Sequence, residues 1–166
     1  MDSKKETSDI ANKLKSWFSD AQKVVVAGIG NPLRKDDFVG VEIVRSLLHR
    51  VSQSVYLIEC ENVPESFVEP ITEFKPTHIL IIDAALLSLK PGSWKLIEPS
   101  QMLMKSAVST HALPLRIFCE YLAKTTSAKI ALLLIQPKNA GFGEGITTEL
   151  RKTVVKTTNL LSKILP

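Results

Sequence analysis

The chain is poor in the groups that small proteins use for covalent chemistry or covalent stapling. Its two cysteines, Cys60 and Cys119 among 166 residues, stand far apart and outside any CxxC pair, which excludes a cysteine zinc cluster and a thioredoxin-like motif. They read as buried free thiols, and a disulfide between them stays open for a hyperthermophilic host. No GxSxG elbow occurs, and neither cysteine sits in a recognisable nucleophile setting, so covalent catalysis is disfavoured. Long hydrophobic runs are missing too. The longest, such as Ile130 to Ile135, fall far short of the ~20 residues that a spanning helix needs. Residues 1–20 carry mixed charges and have neither the apolar centre nor the cleavage site of a signal peptide, so the expected setting is the cytoplasm without membrane insertion. Net charge is a mild +4. The lysines are interspersed with acids, except for Arg151, Lys152, Lys156 and Lys163, which read as a solvated helix face, so no nucleic-acid partner is indicated.

What is present suits one globular unit. A chain of this length can bury roughly two-thirds of its unfolded surface without disulfide or metal, and 45% hydrophobic residues is ordinary for such a domain. Helical spacing of Ile10, Leu14, Trp17 and Phe18 predicts an amphipathic helix over 6–19 that docks on the body. A strand follows over Lys23–Gly28, then a helix from about Asp37 to Arg50 with Val41, Val44, Leu47 and Leu48 on one face. Tyr56–Cys60 reads as a second strand. Pro64 opens a short helix carrying Phe67, Val68 and Ile71 and ending near Lys75. Unbroken apolar character from Ile79 to Ile82 predicts that His78–Asp83 is a central parallel strand buried on both faces. Trp94–Ile97 is a short strand, followed by a polar segment reaching Ser109-Thr110-His111, and a helix carries Leu115, Phe118, Cys119 and Leu122. Lys129–Gln136 is a further strand. Pro137–Gly145 is a glycine-rich loop, and Thr147–Leu165 a final helix with Leu150, Val154, Leu161 and Ile164 inward. Alternating strands and helices predict right-handed βαβ units in a three-layer α/β/α sandwich with a mostly parallel twisted sheet.

The segment Val24 to Gly40 carries the most information. An apolar strand runs into Gly28-Ile29-Gly30-Asn31-Pro32 and then presents Asp36 and Asp37 before a helix. A dinucleotide fingerprint would need a third glycine where Leu33 stands. Pro32 lacks the amide hydrogen such a site uses, and the two acids would repel a pyrophosphate. Ligands of open parallel sheets bind beyond the carboxyl ends of the strands, and Asp36, Asp37, Glu59 and Asp83 all fall at or just after such ends.

If the strands are neighbours, Asp37, Asp83 and His111 converge at one end of the sheet. Two carboxylates and an imidazole form an O,O,N set suited to a divalent transition metal, with nickel, zinc and iron each acceptable. Each residue also has a structural reading. Asp36 is expected to cap the following helix. Asp83 could accept neighbouring amides, although a buried carboxylate is costly unless paired. His111 could belong to a helix entry capped by Ser109 or Thr110. His49 and His78 read as surface or structural residues. With no covalent nucleophile in view, water activated by a carboxylate or a metal is the natural hydrolytic chemistry.

Gly28-Ile-Gly-Asn-Pro-Leu-Arg-Lys-Asp-Asp-Phe-Val-Gly40 resembles the signature of the nickel-iron hydrogenase maturation endopeptidases. Ile82-Asp83-Ala84, Ser109-Thr110-His111, Ile135-Gln136-Pro137 and Gly145-Ile146-Thr147 resemble further blocks of that family in the expected order. The likeness covers about residues 22–165 and is strongest to the branch serving formate-hydrogenlyase or energy-converting hydrogenases. It implies a phosphorylase/hydrolase-like fold and a single protease domain over 1–166, with residues 1–20 as an added helix. It also implies an endopeptidase that removes a C-terminal extension from a hydrogenase large-subunit precursor after nickel insertion, recognising the nickel carried by that substrate, with no organic cofactor. The family's metal-contacting positions fall on Asp37, Asp83 and His111, which would serve both catalysis and nickel contact. Glu59 falls where an aspartate is usual, Phe38 where glycine is frequent, and Cys60-Glu61 where Gly-Gly is frequent. Nothing in the chain advertises a permanent interface, so a monomer is expected. Two other readings start from the same residues. Peptidyl-tRNA hydrolases share a Gly-x-Gly-Asn-Pro turn but follow it with a histidine, and here none precedes His49. A non-catalytic nickel-binding or precursor-holding chaperone would use the same fold without cutting.

Overall fold

In the computed structural model, which describes residues 2–102, 108–109 and 112–166, the predicted alternation of strands and helices is realised. Helix α1 (Asp2–Trp17) precedes strand β1 (Val24–Ile29). A 3-10 turn (Lys35–Phe38) leads into α2 (Val39–Leu47), β2 (Val55–Glu61), a second 3-10 turn (Pro64–Phe67), α3 (Val68–Phe74) and β3 (His78–Leu86). The chain continues through β4 (Trp94–Ile97), α4 (Pro99–Met102), the two-residue β5 (Val108–Ser109), α5 (Ala112–Thr125), β6 (Lys129–Ile135) and α6 (Thr148–Ile164). The sheet runs β2-β1-β3-β6-β4. All neighbours are parallel except β4, which pairs antiparallel with β6, and β5, which pairs antiparallel with the end of β3.

Period-two alternation divides the core into two layers. Val24, Val26, Leu80, Ile82, Leu133 and Ile135 join Ile10, Leu14, Val44, Leu47, Leu150 and Leu161 on one face, so α1, α2 and α6 cover it. Val25, Ala27, Ile79, Ile81, Leu132 and Leu134 join Ile71, Leu115, Phe118 and Leu122 on the other, under α3 and α5. Burial of Ile79 to Ile82 on both faces explains their unbroken apolar run. The predicted first helix begins earlier, at Asp2, and the second is shorter than expected. It ends at Leu47, and Leu48, expected on its inner face, is half-exposed. Its entry is a 3-10 turn because Asp36 and Asp37 are tied to other segments instead of capping it. Ser109, expected at a helix entry, pairs with Ala85 in β5. Thr110 and His111 lie outside the described residues.

Two glycines bring α2 down onto the sheet. A side chain on Gly40 would collide with the carbonyls of Ile82 and Ile29, so the helix start meets the middle of β3 and the end of β1 at once. Gly30, at φ +153°, lies against the backbone of Asp37 and Phe38 and folds the turn back on itself. Chain order reverses between β1 and β3, so this contact is the switch point where sheets of this kind bind ligands.

Candidate active site

Asp37 reaches the switch point on the turn after β1. Its Oδ2 accepts the Asn31 amide at 3.0 Å, and Asn31 Oδ1 in turn accepts the Leu33 amide at 2.9 Å, so one Asx turn both shapes the loop and orients the carboxylate. Asp83 comes from β3, the strand next to β1, and its Oδ1 accepts the following amide of Ala84 at 2.9 Å. Both acids are buried. The 3-10 turn that carries Asp37 packs against β3. Asp37 thus follows β1, and Asp83, expected at a strand end, lies within the last four residues of the neighbouring β3, which runs on to Leu86. His111, the third member of the expected set, lies outside the described residues.

Asp36 has a different task from the one expected. Fully buried, it accepts the amides of Lys138 and Asn139 at 2.9 Å each, the amide of Thr147 at 2.8 Å and the Thr147 hydroxyl at 2.8 Å. It thus holds the 138–147 loop and the start of α6 against the acid turn, and makes no capping bond to α2. Sequence reasoning missed Asn31, Asn139 and Thr147. The signal at Thr147 was available, since a threonine just before a helix with Glu149 in its first turn marks an N-cap position.

The remaining positions define the rim. Glu59 Oε2 accepts Arg45 Nε at 3.0 Å, and the same guanidinium lies 4.9 Å from the centroid of Phe38. Two of the departures noted in the sequence, Phe38 and Glu59, are therefore linked through one arginine. The third falls on an irregularity where β1 and β2 shift register and Glu61 takes φ +48°. Left-handed backbone favours glycine, so Glu61 holds there a conformation that a side chain disfavours. Gln136, leaving β6, accepts the Leu87 amide at 2.6 Å and so ties the segment after β3 to the same edge. Both cysteines are free and buried, as expected. Burial pushes each thiol up to about 12, so neither supplies a thiolate. His49 is exposed, and His78 is buried at the opposite end of the sheet.

Fold and site together define an α/β protein of the three-layer hydrolase type that offers carboxylates, and no reactive thiol among the described residues, at its switch point. Comparison with known proteins specifies the class. The family model for hydrogenase maturation proteases matches residues 41–164. A Methanocaldococcus jannaschii protein described as a hydrogenase maturation protease is 38% identical over 164 residues, covering 94% of each chain. The hydrogenase 3 maturation protease of Escherichia coli K12 is 28% identical over 130 residues, covering 78% of this chain and 83% of its own. The crystal structure of a NiFe hydrogenase maturation protease from Thermococcus kodakarensis superimposes with a TM-score of 0.85 at 33% identity, covering 92% of this chain and 97% of that one. The chain belongs to the hydrogenase maturation protease family. It is therefore a peptidase, which sets aside both the peptidyl-tRNA hydrolase reading of the turn and the non-catalytic holding role.

Proposed function

We propose that this peptidase removes a C-terminal extension from the large-subunit precursor of a nickel-iron hydrogenase once nickel has been inserted, and that the nickel borne by the precursor is its recognition handle. The observation that carries the reading is the burial of Asp37, on the turn after β1, and of Asp83, in the C-terminal half of the adjacent β3. Carboxylate oxygens with one imidazole suit a divalent transition metal, and His111 is the imidazole assigned by sequence resemblance. In this reading Asp37, Asp83 and His111 contact the substrate's nickel and thereby fix the adjacent peptide bond. Hydrolysis then adds water oxygen to the carbonyl carbon, breaks the C–N bond and passes a proton to the leaving amine. A carboxylate is the natural acceptor of the water proton in between. The reading includes one protease domain over residues 1–166 with an added N-terminal helix, acting as a monomer in the cytoplasm.

Intact mass of a cognate large-subunit precursor, nickel-loaded and nickel-free, before and after incubation with the protein tests this directly. Loss of a C-terminal peptide from the loaded form alone is the expected result. Equal cutting of both forms would sink the nickel handle, and cutting of neither would sink the substrate assignment.

A further inference from the structure

The loop between β6 and α6 is long and glycine-rich, yet it is tied to the acid turn at residues 138–140, 143 and 147. Besides the four bonds to Asp36, the Lys35 amide donates to the Gly143 carbonyl at 3.0 Å, the Gly143 amide to Leu33 at 2.8 Å, and the Asp36 amide to Asn139 at 3.0 Å. Arg34 Nε donates to the Ala140 carbonyl at 3.1 Å. Inside the loop, Asn139 Oδ1 accepts the Gly141 amide at 2.8 Å. Residues 33–36 and 138–147 therefore form one hydrogen-bonded unit, bridged like a short parallel ladder at Arg34 and Gly143.

At the tip of this fixed loop stands Phe142, 86% exposed, and across the ladder stands Leu33, 46% exposed. An exposed phenyl on a mobile loop would need no explanation, since surface apolar residues are common singly. Here the backbone on both sides is anchored, so the ring is presented and the ordering cost of presenting it has already been met. Its anchor is the turn that carries Asp37.

We propose that Phe142, seconded by Leu33, is a specificity-determining residue of the protease, docking an apolar surface of the hydrogenase large-subunit precursor beside the bond to be cut. The occupant follows from continuity with the site. Any chain held at Asp37 and Asp83 approaches along the carboxyl edge of the sheet, whose rim on this side is the Phe142 loop. Aromatic anchors carry a disproportionate share of binding free energy at protein interfaces. Asp36 is the positioning residue that holds the ring there. This inference rests on the substrate reading above.

The test pairs Phe142→Ala with Val155→Ala, which removes a comparably exposed apolar side chain from α6. Precursor affinity is read by isothermal titration and cleavage by intact mass. Phe142→Ala is expected to weaken precursor binding about tenfold or more and to raise KM by a similar factor, with thermal unfolding unchanged, while Val155→Ala behaves as wild type. Wild-type binding and cutting with an unaltered Phe142→Ala would overturn this inference and leave the substrate reading intact. A wild-type protein that neither binds nor cuts a verified precursor would overturn both.

Discussion

Strand β3 carries a buried ionisable side chain towards each end, His78 where it enters the sheet and Asp83 near its exit, and the surroundings of the two differ. The entrance is closed by neighbours from α1 and the segment after it. Trp17 and Phe18 pack their rings 4.8 and 6.1 Å from that of His78. Asp20 lies 3.2 Å from its Nε2 and 2.7 Å from Lys129 Nζ, and the Thr77 hydroxyl accepts the amides of Gln22 and Lys23. The exit is built from three segments remote in sequence, the acid turn, the end of β3 and the 138–147 loop. They are stitched by backbone amides and leave apolar side chains exposed at their rim. Burial of a titratable group is thus common to both ends. What separates them is topology. The switch point opens one edge of the sheet, whereas α1 seals the other.

The comparison breaks most sharply at the acids. Asp37→Asn or Asp83→Asn is expected to lower precursor cleavage by at least ~100-fold, the upper range for losing even an outer support of a metal ligand, with little change in far-ultraviolet circular dichroism. His78→Gln should leave the rate within ~2-fold, since surface-remote structural changes act through stability. Equal rates for Asp37→Asn and wild type would move the chemistry away from the switch point.

Asp36 gives the next largest effect, on stability and rate together. Asp36→Ala leaves the amides of Lys138, Asn139 and Thr147 without their acceptor, and removing the shared, buried partner of several part-buried donors should cost ~1–3 kcal/mol in urea unfolding. Hydrogen exchange should accelerate at those amides first, and precursor affinity should fall with the release of Phe142. An unchanged urea midpoint would show that the loop holds its place without the staple.

Much of this was legible in the sequence because the signals are strong there. Ile79 to Ile82 and Ile130 to Ile135 announce buried parallel strands, and the strand-glycine-acid order around Gly28 and Asp37 announces a switch-point site. The role of Asp36 was not legible. An acid before an apolar helical run looks like a cap, and its actual donors lie more than a hundred residues away. Antiparallel β5 was missed because two residues paired to Ala85 and Leu86 leave no periodicity to read. The coupling of Phe38 to Glu59 was hidden for the same reason, since Arg45, which joins them, looks like any surface helix residue.

The smallest expected effect belongs to the sealed end, and its sign follows from burial. Desolvation holds the His78 imidazole below its ordinary value, outweighing the nearby Asp20 carboxylate, which pulls upward, while Lys129 adds to the lowering. The folded protein therefore takes up this proton less readily than the unfolded chain, whose histidine titrates near ~6.5. Over the interval from ~6.5 down to the depressed folded value the unfolded state binds more protons, so acidification through that window removes stability and a return above it restores the full amount. Melting temperature followed from pH 7.5 to 5 should fall on the acid side in the wild type and lose that slope in His78→Gln, whose amide carries no proton to gain. A His78→Gln protein with the wild-type slope would trace the acid sensitivity to carboxylates instead. Cleavage at the other end of β3, measured where both proteins are folded, should follow a pH profile that the substitution does not move.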